Sequence, residues 1–445
     1  MEEELRRAKD LAKTEPDEAL RICCDVMNQD MDGKYGQMAL FMSAYLMMEA
    51  ERYGLAYNMY ERCAQLNPNQ SEIYSNMGMC LEELDPHKAK RMFQKAYHIN
   101  PKNSHAYANE GLLHLQTANP KRCIELSQKA LELDPNLTAA KHNTGLAQIM
   151  TRNWVDGWRN YFDTLGVKHR ERRDYGLPEW NGEEGEVVIY GEQGVGDEIM
   201  FASCIPDVLK TNKVILDCDK RLEGLFKRSF DCKVYGTRFK KETPLMDAHK
   251  PQYQCAIGQL PYFYRQTDES FNGNPYLKAD PERSLQWRAL FDTFKGKKIG
   301  VAWSGGLPNT GSKKRTLELD DLEPLLNDKD TFISLEYKDV NQSELDKYGI
   351  KSYPRATAKG GDIDDLAALI GELDCVVTAC TTVVYIAGAL GVPCVVLVPR
   401  EPGYRYHDKG QFPWYNSVHL IRQTNSWKKT VIRAVEEVNK CLKSS

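Results

Sequence analysis

The amino-acid sequence predicts an array of paired α-helices followed by an α/β region with two lobes. Three observations predict this fold class. A pattern of prolines, glycines and small residues recurs every 33 or 34 positions in the first third of the chain. From Glu186 onward, short runs rich in valine and isoleucine alternate with amphipathic segments of helical period. Polar, glycine-rich turns follow some of those runs, as expected where parallel strands end at a ligand cleft.

The repeat is defined by three Asn/Asp-Pro pairs and by small residues in the same register. The prolines are Pro68, Pro101 and Pro135, and the matching glycines are Gly78, Gly111 and Gly145. A small residue lets the two helices of a unit cross closely, and a proline separates one unit from the next. Degenerate copies at residues 17–29 and 153–165 are typical of terminal repeats. Residues 1–168 are therefore predicted to form an array that either binds a partner on its concave surface or serves as a scaffold.

The remainder is predicted to form two lobes with parallel sheets, because continuous apolar strands alternate with helices. The first lobe spans residues 187–280 and the second spans residues 281–445. A junction at 169–186, rich in charge, proline and glycine, joins them to the array. Its basic residues are interpreted as a solvated hinge rather than a polyanion contact; they are His169, Arg170, Arg172 and Arg173.

Composition narrows the class of protein. The 59 basic and 63 acidic residues nearly balance, which disfavours a general nucleic-acid binder. The 13 cysteines have no C-x-x-C spacing, and no H-E-x-x-H or similar metal motif is present. Reduced, buried thiols and no metal site are expected. The charged N-terminus and the lack of a long apolar run predict a cytoplasmic protein that does not insert into a membrane.

The first candidate site is the turn from Gly191 to Asp197, after the strand Val187–Tyr190. Gly194 and Gly196 let the backbone approach a ligand, and the following helix start favours an anion. A carboxylate at the start of a helix stays ionised near neutral pH, so Asp197 is a candidate base for an incoming hydroxyl. The alternative is that Asp197 merely caps the helix.

Three further segments follow predicted strands of the second lobe. The first has small residues followed by cations, which suit a diphosphate. The second has hydroxyl groups at the start of a helix, which suit phosphate oxygens. The third is a long polar loop from Pro399 to Tyr415, and loops of this length are often functional. The candidate donor-binding residues of these segments are Ser304, Gly305, Lys314, Arg315, Cys380, Thr381, Thr382 and Arg405. The alternatives are an exposed basic loop and simple capping by threonine.

The ordered motifs resemble a known family. GEQGVGDEIMFASCIP, VAWSGG…KKRTL, DIDDLAALIGELDCVV, TTVVYIAGALGVP and FPWYNSVHLIRQ…W are similar to tetratricopeptide-repeat glycosyltransferases related to the heptosyltransferases of glycosyltransferase family 9. The likeness to repeat-bearing O-linked N-acetylglucosamine transferases is more distant. The resemblance covers nearly the whole chain and implies a tetratricopeptide α-solenoid followed by a B-type glycosyltransferase fold with two Rossmann-like lobes.

The resemblance also implies residue roles. Asp197, after Gly196, would be the general base, Lys314 and Arg315 would contact the donor diphosphate, and Thr381 would lie at the donor. The nucleotide sugar would be the substrate, with neither metal nor cofactor. This sequence departs from the family at two positions, since Cys380 replaces the usual Asp and Tyr385 the usual His.

Three hypotheses follow. The first is a metal-independent, inverting glycosyltransferase whose repeats recruit a protein or glycan acceptor or a partner protein. The second is a non-catalytic binding protein with a degenerate transferase domain, a hypothesis motivated by Cys380 and Tyr385. The third changes only the acceptor of the first, to a hydroxylated base in DNA.

Overall fold

The protein, described by a computed structural model, comprises two compact units, Met1–Gln148 and Ile149–Ser445. The described residues are 1–31, 33–167, 170–240, 244–306, 311–357 and 360–444. The predicted fold class is confirmed: a helical repeat array precedes an α/β region with two parallel sheets. The predicted domain limits at residues 168, 186 and 280 remain predictions.

The first unit is built from antiparallel helix pairs. Its helices, the last of which runs two residues past the division between the units, are α1 (Glu2–Leu11), α2 (Pro16–Gln29), α3 (Lys34–Glu49), α4 (Tyr53–Leu66), α5 (Ser71–Leu81), α6 (Pro86–Ile99), α7 (Ser104–Gln116), α8 (Pro120–Leu133) and α9 (Thr138–Met150). Side chains of Asp85, Asn103 and Asn119 accept hydrogen bonds from backbone N–H groups at the helix starts, which satisfies donors that the helix itself leaves unpaired.

The small residues of the repeat lie where two helices cross, as the sequence predicts. A Cβ atom at Gly78 would lie 2.4 Å from the ring of Phe93, which is fully buried on the partner helix. The next unit has Ser127 in place of the aromatic residue, and there a Cβ at Gly111 would lie 3.0 Å from the serine hydroxyl. A side chain larger than glycine would therefore crowd the partner helix at both crossings, and more severely at Gly78.

The second unit begins with α10 (Trp154–Phe162) and continues into the first lobe. The elements of this lobe are β1 (Glu186–Tyr190), α11 (Val195–Ala202), α12 (Ile205–Val208), β2 (Lys213–Asp217), α13 (Glu223–Ser229), β3 (Lys233–Tyr235), α14 (Pro244–Ala248), β4 (Tyr253–Ala256) and α15 (Pro261–Tyr264). All four strands are parallel, in the order β3-β2-β1-β4.

The second lobe has six parallel strands. Its elements are α16 (Pro281–Phe291), β5 (Lys298–Ala302), β6 (Thr331–Ser334), α17 (Gln342–Lys347), β7 (Ile350–Lys351), α18 (Pro354–Thr357), α19 (Ile363–Gly371), β8 (Cys375–Ala379), α20 (Thr382–Leu390), β9 (Cys394–Val398), β10 (Val418–Arg422) and α21 (Trp427–Ser444). The order β10-β9-β8-β5-β6-β7 is that of a Rossmann fold. In this order β6 and β7 are added on one side of β5, and β8 to β10 are added on the other side. The sequence missed β7, because two residues give no periodic signal.

The junction is packed rather than solvated. Trp180 is fully buried and its backbone N–H donates to Gln254 on β4, while Arg170 and Arg173 pair with buried carboxylates. The expectation of a solvated hinge is therefore wrong for this segment, whose aromatic and basic residues cover the edge of the first sheet. His169 of the predicted basic cluster lies outside the described residues.

The predicted burial of the cysteines is confirmed for all but two of the thirteen, since Cys24 is exposed and Cys232 is half-buried. Within the described residues, no helix is both long enough and apolar enough to cross a bilayer.

Candidate functional site

The glycine-rich turn after β1 directs three acidic residues to different places. Glu192 and Glu198 point into the first lobe and are buried, whereas Asp197, in the first turn of α11, is 20% exposed at the side chain. A Cβ at Gly191 would lie 2.3 Å from the carboxyl carbon of Glu198, so the turn needs glycine there to admit that carboxylate. The turn therefore leaves one carboxylate, that of Asp197, facing outward.

Arginines and amides hold the two inward carboxylates. Glu192 lies 3.7 Å from Arg170, accepts a 2.8 Å hydrogen bond from Gln193 and is bonded by the N–H of Gly258. Burial raises the pKa of Glu192 above its ordinary range, and Arg170 opposes this shift. Because their partners are distant in the sequence, these structural charges gave no sequence signal.

Glu198 forms the second of these inward pairs. It pairs with Arg238, from the loop after β3, and accepts a 2.9 Å hydrogen bond from the N–H of Asp219. Burial lowers the pKa of Arg238, against the opposing effect of nearby carboxylates that include Glu192 and Asp197. The turn that carries Asp197 is thus fixed from both sides.

Asp197 meets the second lobe through Arg405. This arginine comes from the loop after β9, and its guanidinium forms an ion pair with the Asp197 carboxylate. The guanidinium also lies over the ring of Tyr404, at 4.4 Å from the ring centre. The structure therefore brings together two candidate residues that stand in different lobes, at the carboxyl ends of both sheets.

The glycines of the turn allow this approach. A Cβ at Gly196 would lie 3.0 Å from the ring of Tyr385 and 3.2 Å from the hydroxyl of Thr382, so the start of α20 lies directly against the turn. Gly194 precedes α11 in an extended conformation, and a Cβ there would make only ordinary contact. Gly196 is thus the glycine that the meeting of the two lobes requires.

The turn after β5 is organised by a residue that the sequence analysis missed. The N–H groups of Trp303 and Ser304 each donate a 2.6 Å hydrogen bond to one carboxylate oxygen of Glu336, which follows β6. The N–H of Gly305 donates to the hydroxyl of Thr316. A Cβ at Gly305 would lie 2.5 Å from a backbone oxygen, so this turn also needs glycine.

Glu336 keeps one oxygen without a protein partner. Glu336 is 3% exposed, and among the described residues no group is hydrogen-bonded to its Oε2 atom. Burial raises the pKa of this carboxyl, and the N–H groups of Ser304 and Trp303 oppose that shift. An acidic residue just beyond the second strand of a Rossmann-like lobe is the signal that would have found it.

The two cations after β5 differ in setting. Lys314 is exposed and forms a 2.6 Å ion pair with Glu401, which follows β9. Arg315 is half-buried, and its charge acts on the thiol of Cys380 and on the hydroxyl of Tyr337. The structure thus places both predicted cations at the same edge of the sheet as α20.

The start of α20 departs from simple capping. Thr381 occupies the N-cap, yet its hydroxyl makes no capping hydrogen bond and lies 3.3 Å from that of Thr378. Cys380 is buried, and this burial raises the pKa of its thiol to about 12, against the effect of Arg315. At neutral pH this position therefore presents a neutral thiol instead of a carboxylate.

Aromatic residues of α20 and of the long loop after β9 pack against one another. Tyr385 is 6% exposed, and its ring centre lies 6.4 Å from that of Phe412, which stacks on Tyr406 at 5.4 Å. In the same long loop, His407 is fully buried and bonded to the backbone oxygen of Ile149. The loop is therefore partly structural, and its Trp414 is buried against Phe201.

Comparison with known sequences finds a match to one repeat unit of the array. A tetratricopeptide repeat model matches residues 104–137. The protein FlbA of Caulobacter vibrioides is 27% identical over an alignment of 306 positions, which covers 62% of this chain and 51% of that protein. The chain thus spans about half the length of this relative.

Solved structures resemble each part of the chain. A glycosyltransferase family 9 protein from Veillonella parvula matches 60% of this chain and 98% of its own, at 11% identity and a TM-score of 0.43. A tetratricopeptide protein from Thermus thermophilus, TTC0263, matches 37% of this chain and 89% of its own, at 14% identity and a TM-score of 0.34.

Proposed function

We propose that the second unit is a glycosyltransferase that moves a sugar from a nucleotide-diphosphate sugar to an acceptor hydroxyl, with inversion and without a metal ion. The observation that carries the proposal is the meeting of Asp197 and Arg405 at the carboxyl ends of two parallel sheets. A carboxylate on one lobe then faces a cation on the other, which suits proton removal beside a leaving diphosphate.

The second lobe is the side proposed to bind the nucleotide. In Rossmann-like lobes an acidic residue at the end of the second strand accepts hydrogen bonds from ribose hydroxyls. Glu336 stands at this place, and its Oε2 atom is buried without a partner among the described residues. We assign the ribose to this oxygen, because a buried acceptor without a donor is costly until a ligand supplies one.

The diphosphate is assigned to the edge between Arg315 and α20. Phosphate oxygens suit a guanidinium, an ammonium and the free N–H groups of a helix start. Lys314 and Arg405 pair with Glu401 and Asp197 when no donor is bound. A donor diphosphate competes for both cations and so frees Asp197 to act on the acceptor.

The proposed reaction is a single displacement. The acceptor hydroxyl gives its proton to the Asp197 carboxylate as its oxygen bonds to the anomeric carbon. The bond from that carbon to the diphosphate oxygen breaks on the opposite face, and the electron pair leaves with the nucleoside diphosphate. Lys314, Arg315 and Arg405 neutralise the developing charge.

The proposed donor contact at Cys380 is neutral. Because its thiol stays protonated at neutral pH, it cannot accept hydrogen bonds as an aspartate would. Tyr385 places a phenol ring where the family has the imidazole of a histidine. The donor sugar is therefore proposed to present a less polar edge to this position than family donors do.

The test is turnover of a panel of nucleotide sugars, with protein, glycan and hydroxylated-DNA acceptors, by wild type and Asp197→Asn. Release of nucleoside diphosphate should fall by about 10²- to 10⁴-fold in the variant. Asp231→Asn, at an exposed position of the same lobe, is the matched control and should turn over normally. Equal turnover by wild type and Asp197→Asn would exclude Asp197 as the base.

A second candidate is a binding protein without transferase activity, in which the repeats recruit a partner. The neutral thiol at Cys380 and the ion pair that occupies Asp197 favour it. Thermal stability separates the candidates, because a ligand that binds the folded state raises the melting temperature. Stabilisation by a nucleoside diphosphate without turnover of any donor would support a binding role, and no response to any nucleotide would support a degenerate scaffold.

A further inference from the structure

A cluster of three metal-ligating side chains lies on the second lobe, away from the candidate transferase site. His419 is the second residue of β10, near the end at which this strand begins, whereas the donor-side residues follow the ends of β5, β8 and β9. Glu437 and Cys441 are four residues apart on α21, so they share one face of this helix. The packing of α21 on β10 brings that face to His419.

The geometry of the cluster is compact. One ligand atom from each of the three side chains lies within 4.8 Å of the other two. The imidazole Nδ1 atom of His419 is 3.2 Å from a carboxylate oxygen of Glu437. The thiol of Cys441 is in hydrogen-bond contact with His419 and with the thiol of Cys375, which is fully buried at the start of β8.

A plain ion pair explains only part of this arrangement. A histidine and a glutamate that form a surface ion pair do not require a thiol beside them. A cysteine that only fills the core does not require a histidine or a glutamate beside it. Here the sulfur of the buried Cys441 lies beside the partly exposed His419 and Glu437. Nitrogen, oxygen and sulfur ligand atoms therefore lie together at a place that solvent reaches from one side. The other oxygen of Glu437 bonds the exposed Lys440, a contact that an ion at the cluster need not break.

We propose that His419, Glu437 and Cys441 form a binding site for a thiophilic divalent cation, with zinc as the preferred ion. Imidazole, carboxylate and thiolate are the ligand types that zinc takes in proteins, usually in tetrahedral geometry. Water completes the coordination on the open side. The thiol of Cys375 lies in contact with the sulfur of Cys441, at the place where groups that orient a metal ligand commonly stand.

This ion ties α21 to the sheet. Two ligands come from the helix and one from the edge strand β10, so binding adds a bridge between elements that already meet through apolar packing and a hydrogen bond from Arg433 to the backbone oxygen of Arg422. Because the ligands lie apart from Asp197, Arg315 and Glu336, the proposal stands whether or not the transferase proposal does.

The experiment uses the full chain, kept reduced with a phosphine, stripped with a chelator and then titrated with zinc chloride. The expected result is one zinc per chain by elemental analysis, together with a raised melting temperature for the second unit. Its unfolding can be followed separately, because all seven tryptophans lie in that unit. Cobalt in place of zinc should give an absorption band from charge transfer between thiolate and metal.

Variants identify the ligands. His419→Ala, Glu437→Gln and Cys441→Ser should each weaken zinc binding about tenfold or more, since loss of even a partner of a metal ligand costs that much. Glu436→Gln, at the neighbouring helix position, and Cys24→Ser, at an exposed thiol of the first unit, should bind as wild type does. His419 and Glu437 are partly exposed, so their variants keep the test valid if Cys441→Ser does not fold.

Two outcomes would overturn the proposal. One is the absence of bound zinc after dialysis against micromolar metal. The other is zinc binding that the cluster variants leave unchanged, which would place the ion elsewhere.

Discussion

The two lobes place an acidic residue at the same point of their topology and use it differently. Asp217 ends β2, and Glu336 follows β6, the second strand of the second lobe. Asp217 pairs with Arg173 at 3.2 Å and accepts hydrogen bonds from Tyr175 and from Thr237. Glu336 accepts its hydrogen bonds from the turn formed by Trp303 and Ser304, and its Oε2 atom has no partner among the described residues.

The difference separates a structural charge from a candidate ligand contact. In the first lobe every oxygen of Asp217 is bonded within the protein, and the junction supplies two of the partners. In the second lobe one buried oxygen of Glu336 lacks a partner among the described residues. Burial is similar at the two positions, so the number of partners, and not the depth, distinguishes them.

The largest expected effect is at Asp217. Asp217→Ala leaves Arg173 and Tyr175 without their shared partner, and breaking a buried ion pair in this way costs about 3–5 kcal/mol. The free energy of unfolding, followed by tryptophan fluorescence in guanidinium, should fall by that amount. Asp231→Ala, at an exposed position of the same lobe, should change it little. Similar losses in both variants would contradict a special role for the Asp217 network.

An intermediate effect is expected from His407, which anchors the long loop of the second lobe. Burial lowers the pKa of this imidazole to about 3, and Arg152 and Arg422 also lower it, against the opposing effect of the Ile149 carbonyl. The unfolded value is about 6.5, so the folded state excludes a proton that the unfolded state binds. The stability that His407 contributes is therefore complete above about pH 6.5 and is lost as the pH falls toward 3.

Between about pH 7 and about pH 5, this linkage costs about 2 kcal/mol. His407→Asn removes the titrating group and retains a donor for the Ile149 carbonyl, so its unfolding free energy should depend less on pH by that amount. His249→Asn, at a half-buried histidine of the first lobe, is the control. The same reduction in both variants would show that the loop histidine is not the origin.

The smallest effect on stability is expected at Glu336. Because burial raises its folded pKa, this carboxyl stabilises the fold only when protonated, and its contribution is lost as the pH rises through the folded pKa. Glu336→Gln keeps an oxygen that can accept from the N–H groups of Trp303 and Ser304, so it should alter the free energy of unfolding by less than about 1 kcal/mol.

The same variant should bind nucleoside diphosphate about 10- to 100-fold more weakly, since hydrogen bonds to a charged acceptor are worth about 1.5–3 kcal/mol. Calorimetric titration measures this, with Glu344→Gln at an exposed position as the control. A Glu336→Gln variant that is much less stable yet binds nucleotide normally would make Glu336 a structural residue like Asp217.

Several candidate site residues could be named from the sequence because their signal is local. Gly196 and Asp197 follow a strand and open a helix, and Arg315 follows β5 in a short basic run. Glu336 carried a weaker signal in its position after β6. His419, Glu437 and Cys441 carried none, since an edge strand and the last helix supply them and their spacing matches no metal motif.

The sequence by itself determined the periodic parts of this protein. The steps of 33 and 34 residues required paired helices with small residues at their crossings, and the alternation of apolar strands and helices required parallel sheets. Periodicity reports which face of an element is buried, and burial of that face is repeated at every turn or pleat.

Only the tertiary structure decided which of these charges pair within the first lobe and which meets the second lobe. The turn after β1 contains three carboxylates of similar sequence context, and arginines from the junction and from the loop after β3 neutralise two of them. The third, that of Asp197, meets Arg405 of the other lobe. An ion pair depends on distance in space, and folding brings these partners together from segments whose local patterns are independent of one another.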